Sequence, residues 1–370
     1  MNIFGLEENK YDFGLILAVS TLIGIGIIMI YSASSVFSAK HYETQYYFIA
    51  KHMFFVVLGL VGMIYFIFVD HQKLRGMSYI LLAGTFILLL LTLVGPFSVK
   101  LGGSRRWVSL FGFMFQPSEL AKLSLIIYLA HSISKRGEKI KSFGFGFAPN
   151  IIIASILLVV ILIQPDFGTT FTLGTIVFLM LFIGGVRISY ILAIVFSLIP
   201  AAYYLVMHVG YRRKRIISFL NPWEDPLHSG FQIIQSFIAI NGGGVTGVGL
   251  GEGKQKLFYL PQAHTDFIFS HISEEMGLIG GLIIIFLFFV LFIKGMMLSC
   301  KLKDKFASLL CFGLTMAIVL QALINIAVVI GLVPTKGLTL PFISYGGSSM
   351  VISMCAAGIL INLSRNGEYR

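Results

Sequence analysis

The sequence predicts an all-α polytopic membrane protein, a single membrane domain over 1–370 with about ten transmembrane helices and a cytoplasmic N- and C-terminus. Three observations predict it. Of 370 residues, 57% are hydrophobic and only 12% charged, where a soluble domain carries about a quarter charged residues and needs them to cover its surface. The apolar residues come in blocks near the roughly 20 residues that cross the hydrocarbon core as a helix. The basic residues of the connecting segments alternate between rich and poor.

The apolar segments run over 13–33, 53–69, 77–95, 118–134, 147–163, 168–186, 189–207, 273–293, 306–332 and 342–363. The first follows MNIFGLEENKYD, which lacks a basic leader and is followed by no small-residue cleavage site, so it reads as a retained helix. One set of loops and termini holds Lys10, Lys73, Arg75, Lys135, Arg136, Lys139, Lys141, Arg187, Lys294, Lys301, Lys303, Lys305, Arg365 and Arg370. The short loops between them hold only Lys40, Lys51, Lys100, Arg105, Arg106 and Lys336. The positive-inside rule places the first set in the cytoplasm. A large loop, 208–272, between the seventh and eighth spans then lies outside.

Composition also excludes function classes. The net charge of +11 is scattered through inter-span loops, with no compact basic domain to hold nucleic acid; anionic lipid or a diphosphate is the better partner. No GxxxxGK[ST] stretch exists for an ATP-driven reaction. Cys300, Cys311 and Cys355 show no CxxC or metal spacing and read as small packing residues.

The outer loops carry the chemistry-bearing residues. In LGGSRRWVSLFGFMFQPSELAK, 101–122, Arg106 and Trp107 either meet lipid at the interface or line a cavity for a phosphorylated, lipid-linked sugar. Gln116-Pro117-Ser118-Glu119 reads as a helix start. Glu119 and Lys122 lie three apart on one face, either paired with each other or functional, an ionisable pair being expensive at membrane depth. In Gln164-Pro165-Asp166-Phe167-Gly168, Asp166 either caps the next helix or takes part in catalysis, with the cap slightly favoured.

The large outer loop is the richest region. Arg212 and Arg213 belong to a basic cluster, 211–215; FQIIQSFIAI, 231–240, has helical apolar spacing and is expected along the interface. The glycines of 241–253 imply backbone packed close to something, or a phosphate cradle. Pro261-Gln262-Ala263-His264-Thr265-Asp266 precedes the eighth span. Asp266 is either a helix cap contributing about 1 kcal/mol or a general base, an effect of about 10²–10⁴-fold, roughly 3–5 kcal/mol off a barrier. The last outer loop presents Lys336 between Pro334 and Pro341, and the small residues Gly346 to Ser349 suit close packing.

GGSRRWVSL, FQPSELAK, QPDFGTT, KLFYLPQAHTDFIF and ALINIAVVIGLVPTKGLTLPFISYGGSS, spread over nearly the whole chain, resemble the SEDS family (shape, elongation, division and sporulation). PTKGLTLPFISYGGSS and QKLFYLP favour its division branch over the rod-elongation branch. The resemblance implies a peptidoglycan glycosyltransferase of the bacterial plasma membrane, at the division septum, that polymerises lipid II and releases undecaprenyl diphosphate. It implies a class B penicillin-binding protein and other division membrane proteins as partners. Asp266 matches the family's essential Asp; Arg106, Trp107, Glu119, Lys122 and Lys336 match its cavity positions. With Arg212, Arg213 and His264 these are the candidate substrate or diphosphate contacts. Gln262 and Phe258 stand where relatives carry Glu, and Ser270-His271-Ile272 replaces a more apolar stretch, leaving Glu274 as a candidate second acid. No cofactor is demanded; a divalent cation, Mg or Mn, is compatible with a diphosphate leaving group, though no carboxylate cluster calls for one. The rival readings are a lipid II flippase, disfavoured because the polar residues concentrate outside and not at the midplane, and a non-catalytic scaffold for the synthase.

Overall fold

The computed structural model describes residues 11–94, 98–101, 104–110, 113–208, 210–226, 230–255, 264–335 and 337–366. Each of the ten apolar segments coincides with a helix: α1 Phe13–Tyr42, α2 Tyr47–Phe68, α3 His71–Leu91, α4 Pro117–Arg136, α5 Ala148–Ile163, α6 Phe167–Ile183, α7 Ile188–Met207, α10 Ile268–Lys301, α11 Lys305–Val329 and α12 Gly347–Asn366. Among the described residues seven helical stretches are long and apolar enough to cross a membrane: α1, α2, α3, Phe143–Ile163, α10, α11 and Gly347–Arg365. The apolar stretches Phe167–Ile183 and Ile188–Pro200 are shorter.

Aspartates set the starts of four helices. Asp12 accepts from the amides of Gly14 and Leu15 at 2.9 and 3.2 Å, and Asp70 from that of Gln72 at 2.9 Å. Asp304 accepts from Phe306 and Ala307 at 3.2 and 3.4 Å. Asp166 caps α6 through the amide of Thr169 at 3.2 Å. Each takes up amide donors that a helix start leaves unpaired.

The polar helix α4 is the centre of the bundle. Nearly every residue from Pro117 to Ile133 is buried, with α3, α6, α11 and α12 packed around it. Only a helix wrapped by others can carry Glu119 and Lys122 at membrane depth, and the two close an ion pair of 2.6 Å.

Two expectations need correction. The segment before α4 is not simply a loop: β1 Ser98–Leu101, β2 Ser104–Leu110 and β3 Phe113–Phe115 form a small antiparallel sheet in the order β1-β2-β3, the one sheet among the described residues. Alternation in Arg106-Trp107-Val108 turns Val108 into the core while its neighbours stay half-exposed. The large loop 208–272 carries α8 Gly210–Leu220 and α9 Phe231–Gly243, the second on the stretch whose spacing predicts a helix. Helix α9 does not simply lie along the interface. Ile233, Ile234 and Ala239 are buried, it packs on α10 and α11, and Ser236 donates to the Val329 carbonyl at 2.8 Å.

Helix α10 is broken at Gly277 (φ 66°, ψ −165°). The glycine-rich stretch after α9 takes up the backbone groups freed by the break. Val248 and Gly249 amides donate to the Glu274 and Glu275 carbonyls at 3.0 and 3.1 Å, and Leu278 and Ile279 amides to those of Gly244 and Val245 at 2.9 and 3.2 Å. The backbones touch so closely that a methyl group on Gly247 would collide with the Glu275 carbonyl, and one on Gly277 with the Gly247 amide. Residues 338–343 likewise run buried without helix. Their carbonyls are met by side chains of α11: Gln321 donates to Thr339 O at 2.8 Å and Asn325 to Leu338 O at 2.6 Å. Irregular backbone survives at this depth because the protein supplies the partners that lipid cannot.

Candidate active site

Asp266 stands before an apolar helix as the four capping aspartates do, but it does not cap. The residue at the helix start is Phe267, and no side chain caps α10. The backbone carbonyl of Asp266 is held by Asn325 Nδ2 at 2.8 Å, while no described residue donates a hydrogen bond to its carboxylate. The carboxylate is half-buried and faces a cavity of about 400 Å³. Arg106 and Trp107 from β2, Gln116 and Glu119 at the start of α4, and Thr169 at the start of α6 line it, together with Arg215 of α8. The segment Gly337, Leu338 and Thr339, with Tyr345, Gly346 and Ser349, completes the wall. Gly337 (φ 65°) is placed so that a methyl group there would lie 3.3 Å from Asp266 Oδ2.

The charges around the cavity are arranged, not scattered. Arg106 donates through Nε to the Gln164 carbonyl at 3.2 Å and through Nη2 to the Pro165 carbonyl, and its guanidinium lies 3.9 Å from Asp166. That anchors a cation on the cavity wall by its rear atoms. Burial pushes the Asp266 carboxyl up to about 6; Arg106 and Arg215 pull against this and Asp166 adds to it. A carboxyl poised there is ionised at neutral pH and still basic enough to take a proton.

The remaining candidates divide. Glu119 lines the cavity, whereas Lys122, one turn deeper, is bound by Glu119 and donates to Gln321 Oε1. Gln321 in turn reaches the Thr339 carbonyl, so Lys122 supports the cavity floor without lining it. His264 sits in an aromatic nest, its ring 4.9 Å from Phe48 and 5.7 Å from Tyr345, and it is not among the cavity-lining residues. Burial holds its imidazole down at about 4, so it is neutral at physiological pH and no cation for a phosphate. Arg213 is exposed and away from the cavity wall. Lys336, Gln262, Phe258 and the side chain of Arg212 lie outside the described residues.

The residue that sequence reasoning missed is Arg215. It shares the basic cluster with Arg212 and Arg213, and only the path of α8 over the 334–339 segment brings it to Asp266. Its Nη1 donates to the Thr335 carbonyl at 3.3 Å. Glu274, the candidate second acid, is buried and takes the amides of Lys254 and Gln255, which leaves it committed to the loop and not to the cavity. Among the described residues no group of three or more His, Cys, Asp or Glu is placed to hold a metal ion.

Residues 13–369 match the model of the FtsW, RodA and SpoVE family, described as cell cycle proteins. The chain belongs to this family. It is 46% identical over 358 residues to the probable peptidoglycan glycosyltransferase FtsW of Geobacter metallireducens, covering 97% of this chain and 96% of that one. It is 41% identical over 364 residues to the stage V sporulation protein E of Bacillus subtilis, covering 98% and 99%. Among solved structures it superposes with a TM-score of 0.79 on a chain of a peptidoglycan synthase complex that coordinates polymerization and crosslinking, at 28% identity over 96% of this chain and 98% of that one. The rod shape determining protein RodA of Thermus thermophilus superposes at 0.72, with 25% identity over 97% and 98%. Within the family, the higher identity to division proteins agrees with the branch that the PTKGLTLPFISYGGSS segment favours.

Proposed function

We propose that this chain is a peptidoglycan glycosyltransferase that polymerises lipid II at the outer face of the bacterial plasma membrane, with Asp266 as general base. The observation that carries the reading is a carboxylate withheld from capping, facing a cavity with Arg106 and Arg215 on its wall. Family membership and the 46% identity to a probable glycosyltransferase support it.

Asp266 takes the proton of the acceptor sugar's 4-hydroxyl. The freed oxygen forms a bond to C1 of the donor N-acetylmuramic acid as the C1–O bond to undecaprenyl diphosphate breaks. The α linkage becomes β in one inverting displacement, and the leaving diphosphate carries away the electron pair. Arg106 and Arg215 face the place where that charge appears and lower the barrier electrostatically. A Mg or Mn ion would arrive on the diphosphate itself: the described carboxylates of the cavity are Asp266 and Glu119, and Glu119 is already held by Lys122.

The orientation with both termini inside rests on the basic loops; it puts the cavity end of the bundle outside, where lipid II is consumed. A class B penicillin-binding protein is the proposed partner and the septum the proposed site of action. The test is polymerisation of lipid II by the purified chain with and without that partner, comparing wild type with Asp266→Asn. Glycan from wild type and none from the folded variant is the expected result. Transbilayer movement of lipid II with no glycan from either protein would replace this reading with the flippase, and unchanged glycan from the variant would remove Asp266 as the base.

A further inference from the structure

Behind Asp266 lies a second, smaller hollow of about 150 Å³, on the far side of the wall formed by Asp266, Arg215, Gly337 and Leu338. Its own lining comes from Gln232 of α9, Asn325 and Val328 of α11, Phe267 and Thr335. Asn325 is the informative member. It is 1% exposed, and its Nδ2 is spent on the carbonyls of Asp266 and Leu338 at 2.8 and 2.6 Å. Those two bonds tie the wall of the hollow to α11; Oδ1 itself has no partner and is sealed from the hollow's free space.

We infer that this hollow is the acceptor subsite, taking the uncharged non-reducing end of an N-acetylhexosamine glycan. The inference rests on the glycosyltransferase reading and deepens it. A polymerase must hold two substrates with the base between them, and Asp266 is shared by both hollows. The donor brings a diphosphate, which suits the larger cavity with Arg106. Arg215 is common to both hollows, and what sets the small one apart is the neutral Gln232 amide and Thr335 hydroxyl beside the apolar Val328 and Phe267. That mixture fits a sugar ring with hydroxyls on its edges and an apolar face. The Gln232 amide and the Thr335 hydroxyl meet the ring substituents, and Asp266 takes the hydroxyl proton. The volume is that of on the order of ten waters, enough for one ring.

The experiment separates donor from acceptor. Lipid II capped on its 4-hydroxyl serves only as donor, and a short glycan–lipid serves as acceptor; formation of the capped product is followed while each is varied. Gln232→Ala and Val328→Phe are compared with wild type, since neither residue holds Asp266 or lines the larger cavity. The expected result is an acceptor KM raised about tenfold, the loss of one hydrogen bond or the space for it, with the donor KM unchanged. A raised donor KM, or no change in either, overturns the subsite. Wild-type protein that turns over no capped donor at all, with or without its partner, overturns the glycosyltransferase reading itself. If Val328→Phe fails to fold, Gln232→Ala alone decides.

Discussion

Asp266 and Glu275 belong to the same short stretch of chain, yet one faces a cavity and the other is sealed inside the protein. Glu275 accepts from the Ser32 hydroxyl at 2.6 Å, from the Gly253 amide at 3.3 Å, and lies 3.3 Å from His271 Nε2. Glu274 beside it takes the Lys254 and Gln255 amides. Together the pair clamps the glycine-rich loop to the broken helix and ties it to Ser32 of α1. Asp266 receives no such donors from the described residues, and its backbone, not its side chain, is what Asn325 holds. The difference teaches where to look for chemistry: a carboxylate saturated by amides is a fastener, and one left unsatisfied beside cations is available for a reaction.

Four tests probe this contrast, beginning with the largest expected effect. Glu275→Ala removes the acceptor shared by Ser32, Gly253 and His271 and should cost about 3 kcal/mol. Thermal unfolding in detergent measures it, and an unchanged midpoint would show that the cluster fastens nothing. Gly277→Ala forces a side chain into a positive φ and against the Gly247 backbone, at a cost of about 2 kcal/mol. Gly76→Ala, in open space on α3, should instead stabilise by about 0.5 kcal/mol, so the pair separates contact from composition.

The third test is pH. The Asp266 carboxyl is pushed up to about 6, and its basic form exists above that value. Glycan synthesis should therefore fall as pH drops through about 6, by about tenfold per unit below it. Arg106→Gln removes a cation that holds the carboxyl down and should move this limb to higher pH. A limb unmoved by the substitution would separate Arg106 from Asp266. The smallest effect is on stability. Asp266→Asn should leave stability unchanged or raise it, since no helix amide depends on its carboxylate and the cost of burying its charge is removed. A large loss would return Asp266 to the role of a cap.

Much of this was legible in order along the chain because it is local. An apolar run long enough to cross a bilayer has no alternative to helix there, since every amide must find a partner within its own segment. Aspartates before such runs, at 12, 70, 166 and 304, become caps for the same local reason. The glycines after Asn241 announced close backbone contact, though not with what. The residues around Asp266 left it open between a cap and a general base, and only the resemblance to a family motif favoured the base.

What only the tertiary structure decided is which separated residues meet. The sheet over 98–115 was missed because membrane-surface alternation over a few residues is too short to distinguish from loop. Arg215 could not be chosen over Arg212 and Arg213, which share its composition and neighbours; the direction of α8 chose it. His264 and Lys122 carry functional residue types, but burial among aromatic rings and an ion pair with Glu119 direct them elsewhere. The free oxygen of Asn325 is invisible in sequence, because an amide becomes an unsatisfied acceptor only when two distant carbonyls have claimed its other end.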